Sequence, residues 1–431
     1  MRTVTLLFVL FLGQPLWAQN YYPPKIGKTW DTLSPGQLGW CQEKIDSMYQ
    51  FLGDKGTKAF IVLKDGKMVL EKYYGNFTQD SVWYWASAGK TLAAAVVGIA
   101  QQEGLLNIND PVSKYLGKGW TSCPADKEDL ITIKHQLTMT SGLDETAADV
   151  DCTDPSCLLY KVDAGARWYY HNAPYTLTHD VVAAASSKSF NLYTFQKIAS
   201  PIGMSGLWIK AANNDIYFSK ARDMARFGLL VLSKGIWQND TIFKDKSFFD
   251  AMTETSQNLN KSYGYLWWLN GKGQIVYPGL SQSFNKDLVP DAPKDMFAAL
   301  GKNDQKLYVI PSQNMVVVRM GDAADGPVPA LSQFDNDLWK WLNRLNCVTG
   351  NAVKTESATQ LYPNPTSGVI YVYLEGPISQ WTLLDAWGRI LALGSATNAS
   401  LSIDLSEYAA GTYTLQLQEK KQVVYKKIIK N

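Results

Sequence analysis

The alternation of apolar and polar residues changes character several times along the chain. Residues 36–52 have helical spacing, and "AFIVLKDGKMVLEKYYG" then places two β-rich runs around Asp65-Gly66, which predicts a hairpin. From Ser87 onward, "KTLAAAVVGIAQQEG" predicts an alanine-rich helix capped by Gly104. From about residue 105 to 255, mostly helical segments and loops are expected.

Strand patterns return in the following segment. The runs "YGYLWWLNG", "MFAALG", "QKLYVI" and "NMVVVRMGD" are predicted strands, and Leu331 to Leu345 is a predicted helix. Residues 348–360 have no periodicity and are rich in small polar residues, which predicts a linker. Residues 361–431 contain short strands separated by turns. The pattern therefore predicts a large domain at 19–347 and a small β module at 361–431.

The first residues belong to neither domain. The segment 1–18 has one basic residue, an apolar run from Val4 to Leu12 and a small residue, Ala18, where cleavage could occur, so it is interpreted as a secretory signal peptide. A membrane anchor is the alternative interpretation, but the run is short for that role. No other run is long enough to cross a membrane, which predicts no transmembrane segment after signal removal.

Charge and cysteine content indicate which partners, disulfides and metals to expect. The 41 Lys and Arg nearly balance the 39 Asp and Glu, so nothing indicates a nucleic-acid partner. Five cysteines in an exported chain suggest disulfides. "DCTDPSC" makes Cys152 and Cys157 the first expected pair. Cys41 and Cys347 could pair if their helices are antiparallel, which would leave Cys123 spare. The histidines lack metal-site spacing, so no metal is predicted.

The candidate chemistry begins at Ser87. If Ser87 lies in the first turn of its helix, Lys90 lies on the same face, because residues three apart are neighbours there. An apolar setting disfavours the charged amine, so a neutral Lys90 could accept the serine proton. The alternative is that Ser87 is only a helix N-cap.

Two further comparisons within the chain bear on this choice. Ser283 and Lys286 have the same spacing, but "DLVPDAP" follows them and cannot continue a helix. A Tyr-x-Asn triplet would supply a phenol and an orienting amide, and triplets occur at Tyr74, Tyr170 and Tyr362. Only Tyr170 lies in the helical region after the candidate nucleophile.

In combination, these motifs resemble a known family. The order Ser87-x-x-Lys90, "HQLTMTSGLDE", "AGARWYYHN" and "ARDMARFGLLVLSKG" is similar to the serine hydrolases that include class C β-lactamases, D-alanyl-D-alanine peptidases and related esterases and amidases. The resemblance implies an α+β fold in which helices flank an antiparallel sheet and an inserted helical region. It also implies that Ser87 is the nucleophile, Lys90 its base, Tyr170 the proton relay and Asn172 the orienting amide.

The third motif of that family falls in "AALGKNDQKLYVI". The resemblance implies that Gly301 is the strand glycine and that Lys302 lends its backbone N–H, with that of Ser87, to an oxyanion hole. This chain departs from the family pattern at two positions. Ala299 stands where many members have a cation, and Asp304 stands where the esterase and amidase branch usually has glycine.

The tail carries a second resemblance. "YPNPTSG", "DAWGRIL", "IDLS" and "GTYTLQL" are similar to the C-terminal sorting domains of type IX secretion, with a β-sandwich fold. This implies passage through the periplasm to the cell surface or medium, with the secretion machinery as a partner. A carbohydrate-binding or adhesive module is the alternative.

The sequence therefore predicts a secreted serine hydrolase that forms an acyl-enzyme with an ester, amide or peptide substrate and needs no cofactor. A true β-lactamase or D-alanyl peptidase is the first alternative. A cell-wall or β-lactam binding protein without turnover is the second.

Overall fold

The computed structural model describes residues 20–147, 149–326, 331–347, 359–373, 378–396, 400–419 and 423–431. The proposed signal peptide and most of the proposed linker lie outside these ranges. The chain divides into two units, Met1–Cys347 and Val348–Asn431. No helix in the described part of the chain is long and apolar enough to span a membrane.

The strands of the first unit are β1 (Thr57–Lys64), β2 (Lys67–Tyr73), β3 (Val82–Tyr84), β4 (Leu207–Ala211), β5 (Asn214–Lys220), β6 (Ile236–Trp237), β7 (Asp240–Thr241), β8 (Trp268–Leu269), β9 (Ile275–Val276), β10 (Ser283–Phe284), β11 (Phe297–Gly301), β12 (Gln305–Ile310) and β13 (Met315–Gly321). The unit is built on a six-stranded antiparallel sheet with the order β2-β1-β13-β12-β11-β8 among the described strands.

Helices cover both faces of this sheet, which explains why β12 and β13 are buried along their whole length. The helices are α1 (Gln42–Asp54), α2 (Gly89–Gln102), α3 (Ser113–Leu116), α4 (Ala125–Glu128), α5 (Ile133–Leu137), α6 (Asn172–Ser186), α7 (Phe190–Thr194), α8 (Ser200–Ile202), α9 (Ala221–Leu232), α10 (Lys246–Thr253) and α11 (Gln333–Leu342).

The two faces carry different helices. On one face α9 packs closely because Gly228 has no side chain: a Cβ there would lie 2.6 Å from Leu307 and from Val316. On the other face, Tyr308 packs edge-on against Trp339 of α11. Side chains alternate between the faces along β12, so neighbouring residues of this strand belong to different environments.

The hairpin around Asp65-Gly66 and the three long strands β11 to β13 agree with the sequence pattern. Other boundaries were wrong. The helix expected at 36–52 begins only at Gln42, because Gly39 takes a left-handed conformation (φ 72°) and ends a preceding 3₁₀ turn. The helix expected at 331–345 is shorter, Gln333–Leu342, and begins after the N-cap Ser332.

Two interpretations of strand content also need correction. Only Trp268–Leu269 of "YGYLWWLNG" is a strand. The region from residue 105 to 255 is not only helices and loops, since β4 and β5 lie within it and form a three-stranded sheet with β3. This sheet escapes the pattern analysis because its strands are short and partly exposed.

The second unit forms two small antiparallel sheets with a shared core, a β-sandwich arrangement. Buried residues from both sheets, among them Ile370, Val372, Leu383 and Leu415, make up that core. Its strands are β14 (Gln360–Tyr362), β15 (Val369–Tyr373), β16 (Ile378–Leu384), β17 (Ile390–Ala396), β18 (Ser400–Asp404), β19 (Gly411–Glu419) and β20 (Val423–Lys430).

Two disulfides close the first unit. Cys152 pairs with Cys157, as expected, and Cys41 at the start of α1 pairs with Cys347 just after α11. Cys123 is a free, partly buried thiol.

Candidate active site

Ser87 lies in a 3₁₀ turn, Ala86–Ala88, that leads directly into α2. The turn is tight, because Ala86 has a φ of 47°, a left-handed conformation that residues with a Cβ rarely adopt. The preceding Trp85 fixes the turn to β5: its N–H donates to Tyr217 O (2.8 Å) and its indole Nε1 donates to Ser219 Oγ (2.8 Å). The unpredicted three-stranded sheet thus positions the serine.

Lys90 is three residues further on and is 2% exposed. Its Nζ donates to Ser87 Oγ at 3.2 Å. The amine also packs over two aromatic rings, 5.1 Å from the centroid of Tyr170 and 4.3 Å from that of Tyr175. Among the described residues no carboxylate forms an ion pair with it. Burial therefore lowers the pKa of Lys90 to about 7, against an opposing effect of Asp151.

Tyr170 lies two residues before α6 and is held by aromatic packing. Its ring stacks on Trp268 (centroids 5.9 Å apart, planes 18° apart) and meets Tyr263 edge-on at 6.3 Å. Burial raises the pKa of the Tyr170 phenol, and the hydrogen-bonding interaction with Ser87 only partly offsets this rise. At neutral pH the phenol is therefore a proton donor, and of the two groups Lys90 is the better base.

Asn172 is the first residue of α6. Its side-chain Oδ1 is buried and accepts no hydrogen bond from the described residues, so it is free to accept one from a ligand. His171 lies between the two motif residues and lines a small cavity with Ser141, Leu143 and Arg167. Burial lowers the pKa of His171 to about 4, so it is neutral at pH 7.

Gly301, at the end of β11, passes directly against the turn that carries Ser87. A Cβ at this position would lie 2.3 Å from Trp85 O and 3.1 Å from Ala88 N, so only glycine fits. Lys302 follows in the turn and its side chain is exposed. Ala299 is fully buried and lies on the same face of β11 as Gly301.

Asp304, the second departure from the family pattern, has a structural explanation. Its φ of 58° is the left-handed conformation that favours glycine and that Asp also tolerates. Its carboxylate is fully buried and accepts hydrogen bonds from Ser332 Oγ (2.6 Å) and Ala324 N (3.0 Å). It also pairs with Lys306 (3.1 Å).

The competing motifs lie in other environments. Ser283 is in β10, and the ammonium of Lys286 packs over the Tyr277 ring at 5.0 Å. The Tyr74 hydroxyl donates to Tyr49 O (2.9 Å), and Tyr362 is 71% exposed in the second unit. The side chains brought together are those of Ser87, Lys90 and Tyr170.

Comparison with protein families identifies the family of the first unit. The family model described as beta-lactamase matches residues 50–338. The chain belongs to the β-lactamase family. A second model, described as a secretion system C-terminal sorting domain, matches residues 360–431. This β-lactamase-family chain therefore carries a type IX sorting domain, which indicates export to the cell surface or medium.

Individual relatives are distant. An uncharacterized protein of Alkalihalophilus pseudofirmus is 24% identical over 310 residues, which cover 63% of this chain and 85% of that protein. Other curated relatives match over only 39–43% of their own length.

Solved structures show the same fold. A structure from Bacteroides dorei DSM 17855 has a TM-score of 0.57 at 19% identity and covers 71% of this chain and 99% of its own. The β-lactamase/D-alanine carboxypeptidase of Yersinia pestis has a TM-score of 0.52 at 16% identity, covering 70% and 96%.

Some parts of this β-lactamase-family site were missed by sequence reasoning. The ring of Tyr175 contacts the amine of Lys90. In the sequence, its position three residues after Asn172 is the signal that could have indicated a place in the site. Trp267 and Trp268 are buried in the core, and the Trp268 ring stacks on Tyr170. Asp151 belongs to no motif, and its negative charge partly opposes the lowering of the Lys90 pKa by burial.

Proposed function

We propose that this protein is a secreted serine hydrolase that cleaves ester or amide substrates through an acyl-enzyme on Ser87. The observation that carries the proposal is the 3.2 Å contact between Lys90 Nζ and Ser87 Oγ at a buried amine. A pKa of about 7 makes roughly half of the Lys90 side chains neutral at pH 7, and only the neutral amine can accept the serine proton.

The proposed mechanism gives each group one task. Ser87 Oγ attacks the carbonyl carbon as neutral Lys90 takes its proton. The N–H groups of Ser87 and Lys302 bind the developing oxyanion. Tyr170, whose phenol stays protonated because burial raises its pKa, passes a proton to the leaving group and is reprotonated from Lys90. Water then cleaves the acyl-enzyme by the reverse sequence, with Asn172 orienting the amine and the acyl chain.

The substrate proposal depends on Ala299. β-Lactams and D-alanyl peptides carry a carboxylate beside the scissile bond, and relatives that process them usually bind it with a cation on this strand. Ala299 offers no charge, and Lys302 has an exposed side chain. Desolvating a carboxylate without a partner costs several kcal/mol. We therefore propose esters or amides without an obligatory carboxylate as substrates.

Active-site labelling tests the nucleophile. Ser87→Ala is expected to abolish labelling by a fluorophosphonate probe, whereas the matched control Ser283→Ala retains it in full. Labelling that survives in Ser87→Ala and disappears in Ser283→Ala would overturn the proposal.

A substrate panel tests the reaction class. We expect kcat/KM for short-chain esters or neutral amides to exceed that for penicillins and cephalosporins by at least about a hundredfold. Cephalosporin hydrolysis as efficient as the best ester would instead indicate a true β-lactamase. Labelling of Ser87 without recovery of free enzyme would indicate a binding protein without turnover.

A further inference from the structure

In the proposed mechanism, Lys90 becomes positively charged in a buried site when it takes the proton of Ser87. The side chain is 2% exposed, and no carboxylate among the described residues forms an ion pair with it. A buried ammonium without such a partner is unfavourable. How readily Lys90 takes the proton therefore depends on the groups that lie against its amine.

Two aromatic rings lie against this amine. Nζ of Lys90 is 4.3 Å from the centroid of the Tyr175 ring and 5.1 Å from that of the Tyr170 ring. The face of an aromatic ring carries partial negative charge, so it stabilises a cation above it, and more strongly where water is excluded. Tyr175 is the nearer ring, and its side chain is buried. Burial also holds the pKa of Tyr175 well above its usual value, so its phenol stays protonated and the ring stays neutral.

The position of Tyr175 is fixed by α6 and by the small three-stranded sheet. Asn172, Tyr175 and His179 lie along one face of α6, because they are three and four residues apart. The His179 ring meets the Tyr175 ring edge-on at 5.5 Å and stacks on Phe190 at 3.8 Å. Nδ1 of His179 lies 3.2 Å from Asp215 Oδ2 in β5. Tyr175 is therefore held by a packed side chain that is itself anchored to the sheet.

We propose that Tyr175 is a positioning residue whose ring face stabilises the ammonium form of Lys90 while Ser87 is acylated. The proton moves from Ser87 Oγ to Lys90 Nζ, and no atom of Tyr175 enters the reaction. The ring lowers the free energy of the charged amine that this step produces. This role belongs to the ring and not to the hydroxyl, so it differs from the proton transfer proposed for Tyr170. The inference rests on the proposed hydrolase function.

Other titratable groups surround this contact. Besides Ser87, they are Tyr170, Tyr263, His179, Asp215 and Asp151. Burial raises the pKa of both other tyrosines and lowers the pKa of His179, so all three are uncharged at neutral pH. Asp215 contacts His179, and Asp151 favours the ammonium only in part. None of these groups changes charge when the Tyr175 ring is altered near pH 7.

The experiment changes the charge on the ring face and keeps the size of the side chain. Tyr175→Phe removes only the hydroxyl, and mono-, di- and trifluorophenylalanine at the same position withdraw charge from the ring in steps. In the full-length protein, the pH dependence of Ser87 acylation by a neutral fluorophosphonate is measured under single-turnover conditions. The wild-type midpoint is expected at the Lys90 pKa of about 7.

The midpoint should hold when the hydroxyl is removed and fall when the ring is fluorinated. We expect Tyr175→Phe to keep it within about 0.3 pH unit of wild type, and the trifluorinated ring to lower it by roughly 0.5 to 1.5 pH units. The acylation rate on the plateau should fall in the same order, because a weaker base accepts the proton less readily. NMR of isotope-labelled lysine side chains, with Lys90→Met to identify the signal, gives the midpoint without any reaction.

The same series at Tyr265 is the matched control. This tyrosine is also buried in the first unit, but its ring packs against Phe248 and not against Lys90. Its fluorinated variants should have the midpoint of Tyr265→Phe. A midpoint that stays constant or rises along the series at position 175, or that falls equally at both positions, would overturn the inference. Failure of the hydrolase proposal would look different: Ser87 would not be labelled in any variant, while the NMR midpoint of Lys90 would still fall with fluorination at position 175.

Discussion

Two lysines are buried on opposite faces of the central sheet, and their surroundings differ in kind. Lys306, on the face that packs against α11, lies between two carboxylates, 3.1 Å from Asp304 and 2.7 Å from Asp335. Lys90, on the face that packs against α2 and α9, has a serine hydroxyl and two aromatic rings as its nearest partners. Both side chains are almost inaccessible to solvent.

The comparison shows that burial alone does not make a lysine reactive. The two carboxylates beside Lys306 compensate a buried positive charge, and the three side chains form part of the packing. Without a carboxylate partner, the same amine loses its proton more easily and becomes a base, at a cost in stability. The sequence motif marks Lys90, and the role of base that we propose for it depends on this difference in partners.

The largest effect is expected when the paired lysine is removed. Lys306→Met leaves the carboxylates of Asp304 and Asp335 buried without their shared cation. We expect the free energy of unfolding to fall by about 3–5 kcal/mol. Chemical denaturation of the full-length protein measures this change, and a variant as stable as wild type would contradict the structural role of the pair.

The same substitution at the candidate active site, Lys90→Met, is expected to raise the free energy of unfolding instead of lowering it. Lys90→Met should lower kcat/KM by roughly two to four orders of magnitude, because the base is lost. It should also raise the free energy of unfolding at pH 7 by about 1–4 kcal/mol, because a desolvated amine is replaced by an apolar side chain of similar size.

The stability gain of Lys90→Met should depend on pH, because the pKa of Lys90 is lowered on folding. The pKa of Lys90 falls from 10.5 to about 7 on folding. Between these values the unfolded chain binds a proton that the folded chain does not, so wild-type stability rises with pH in this window. The advantage of Lys90→Met should therefore shrink from pH 7 towards pH 10.5. A loss of stability at pH 7 would show that Lys90, like Lys306, is a structural cation.

The coupling between Lys90 and Tyr170 in kcat/KM should be smaller than the loss of kcat/KM in either single variant. Lys90→Ala and Tyr170→Phe should each lower kcat/KM by roughly a hundredfold or more, and the double variant should lose far less than the product. The reason is that each group holds the proton that the other needs. Steady-state kinetics of the four proteins give the coupling, and fully multiplicative losses would mean that the two groups act independently.

The smallest effect is expected from the second unit, since both lysines lie in the first. Deletion of residues 361–431 should leave kcat/KM within about twofold when the protein is made in a host without the secretion system. A large loss of specific activity in the purified truncated protein would show that the sorting domain contributes to catalysis.

Much of the site was predictable from local spacing. Ser87 lies in the 3₁₀ turn that leads into α2 and Lys90 lies in the first turn of α2, so their short separation in sequence keeps them close in space. The hairpin around Asp65-Gly66 and the apolar strands β12 and β13 also have local signals. The family pattern predicts a glycine at position 301. Only the structure shows why: a Cβ there would clash with the backbone oxygen of Trp85.

Other features depend on contacts between distant parts of the chain. Nothing near Ala86 in the sequence predicts its left-handed conformation, which depends on the anchoring of Trp85 to β5. Asp151 and Tyr175 belong to no motif, and Lys306 is paired through Asp335, 29 residues away. Long-range packing decides these partners, so periodicity and motif spacing cannot supply them.

The most direct test of the central claim is the pH dependence of Ser87 acylation by a neutral fluorophosphonate, measured under single-turnover conditions. If Lys90 is the neutral base, the acylation rate should rise with a single proton dissociation near pH 7 and reach a plateau above about pH 8, as the pKa of Lys90 requires. A rate that continues to rise to pH 10, the behaviour of an ordinary lysine, would contradict the account.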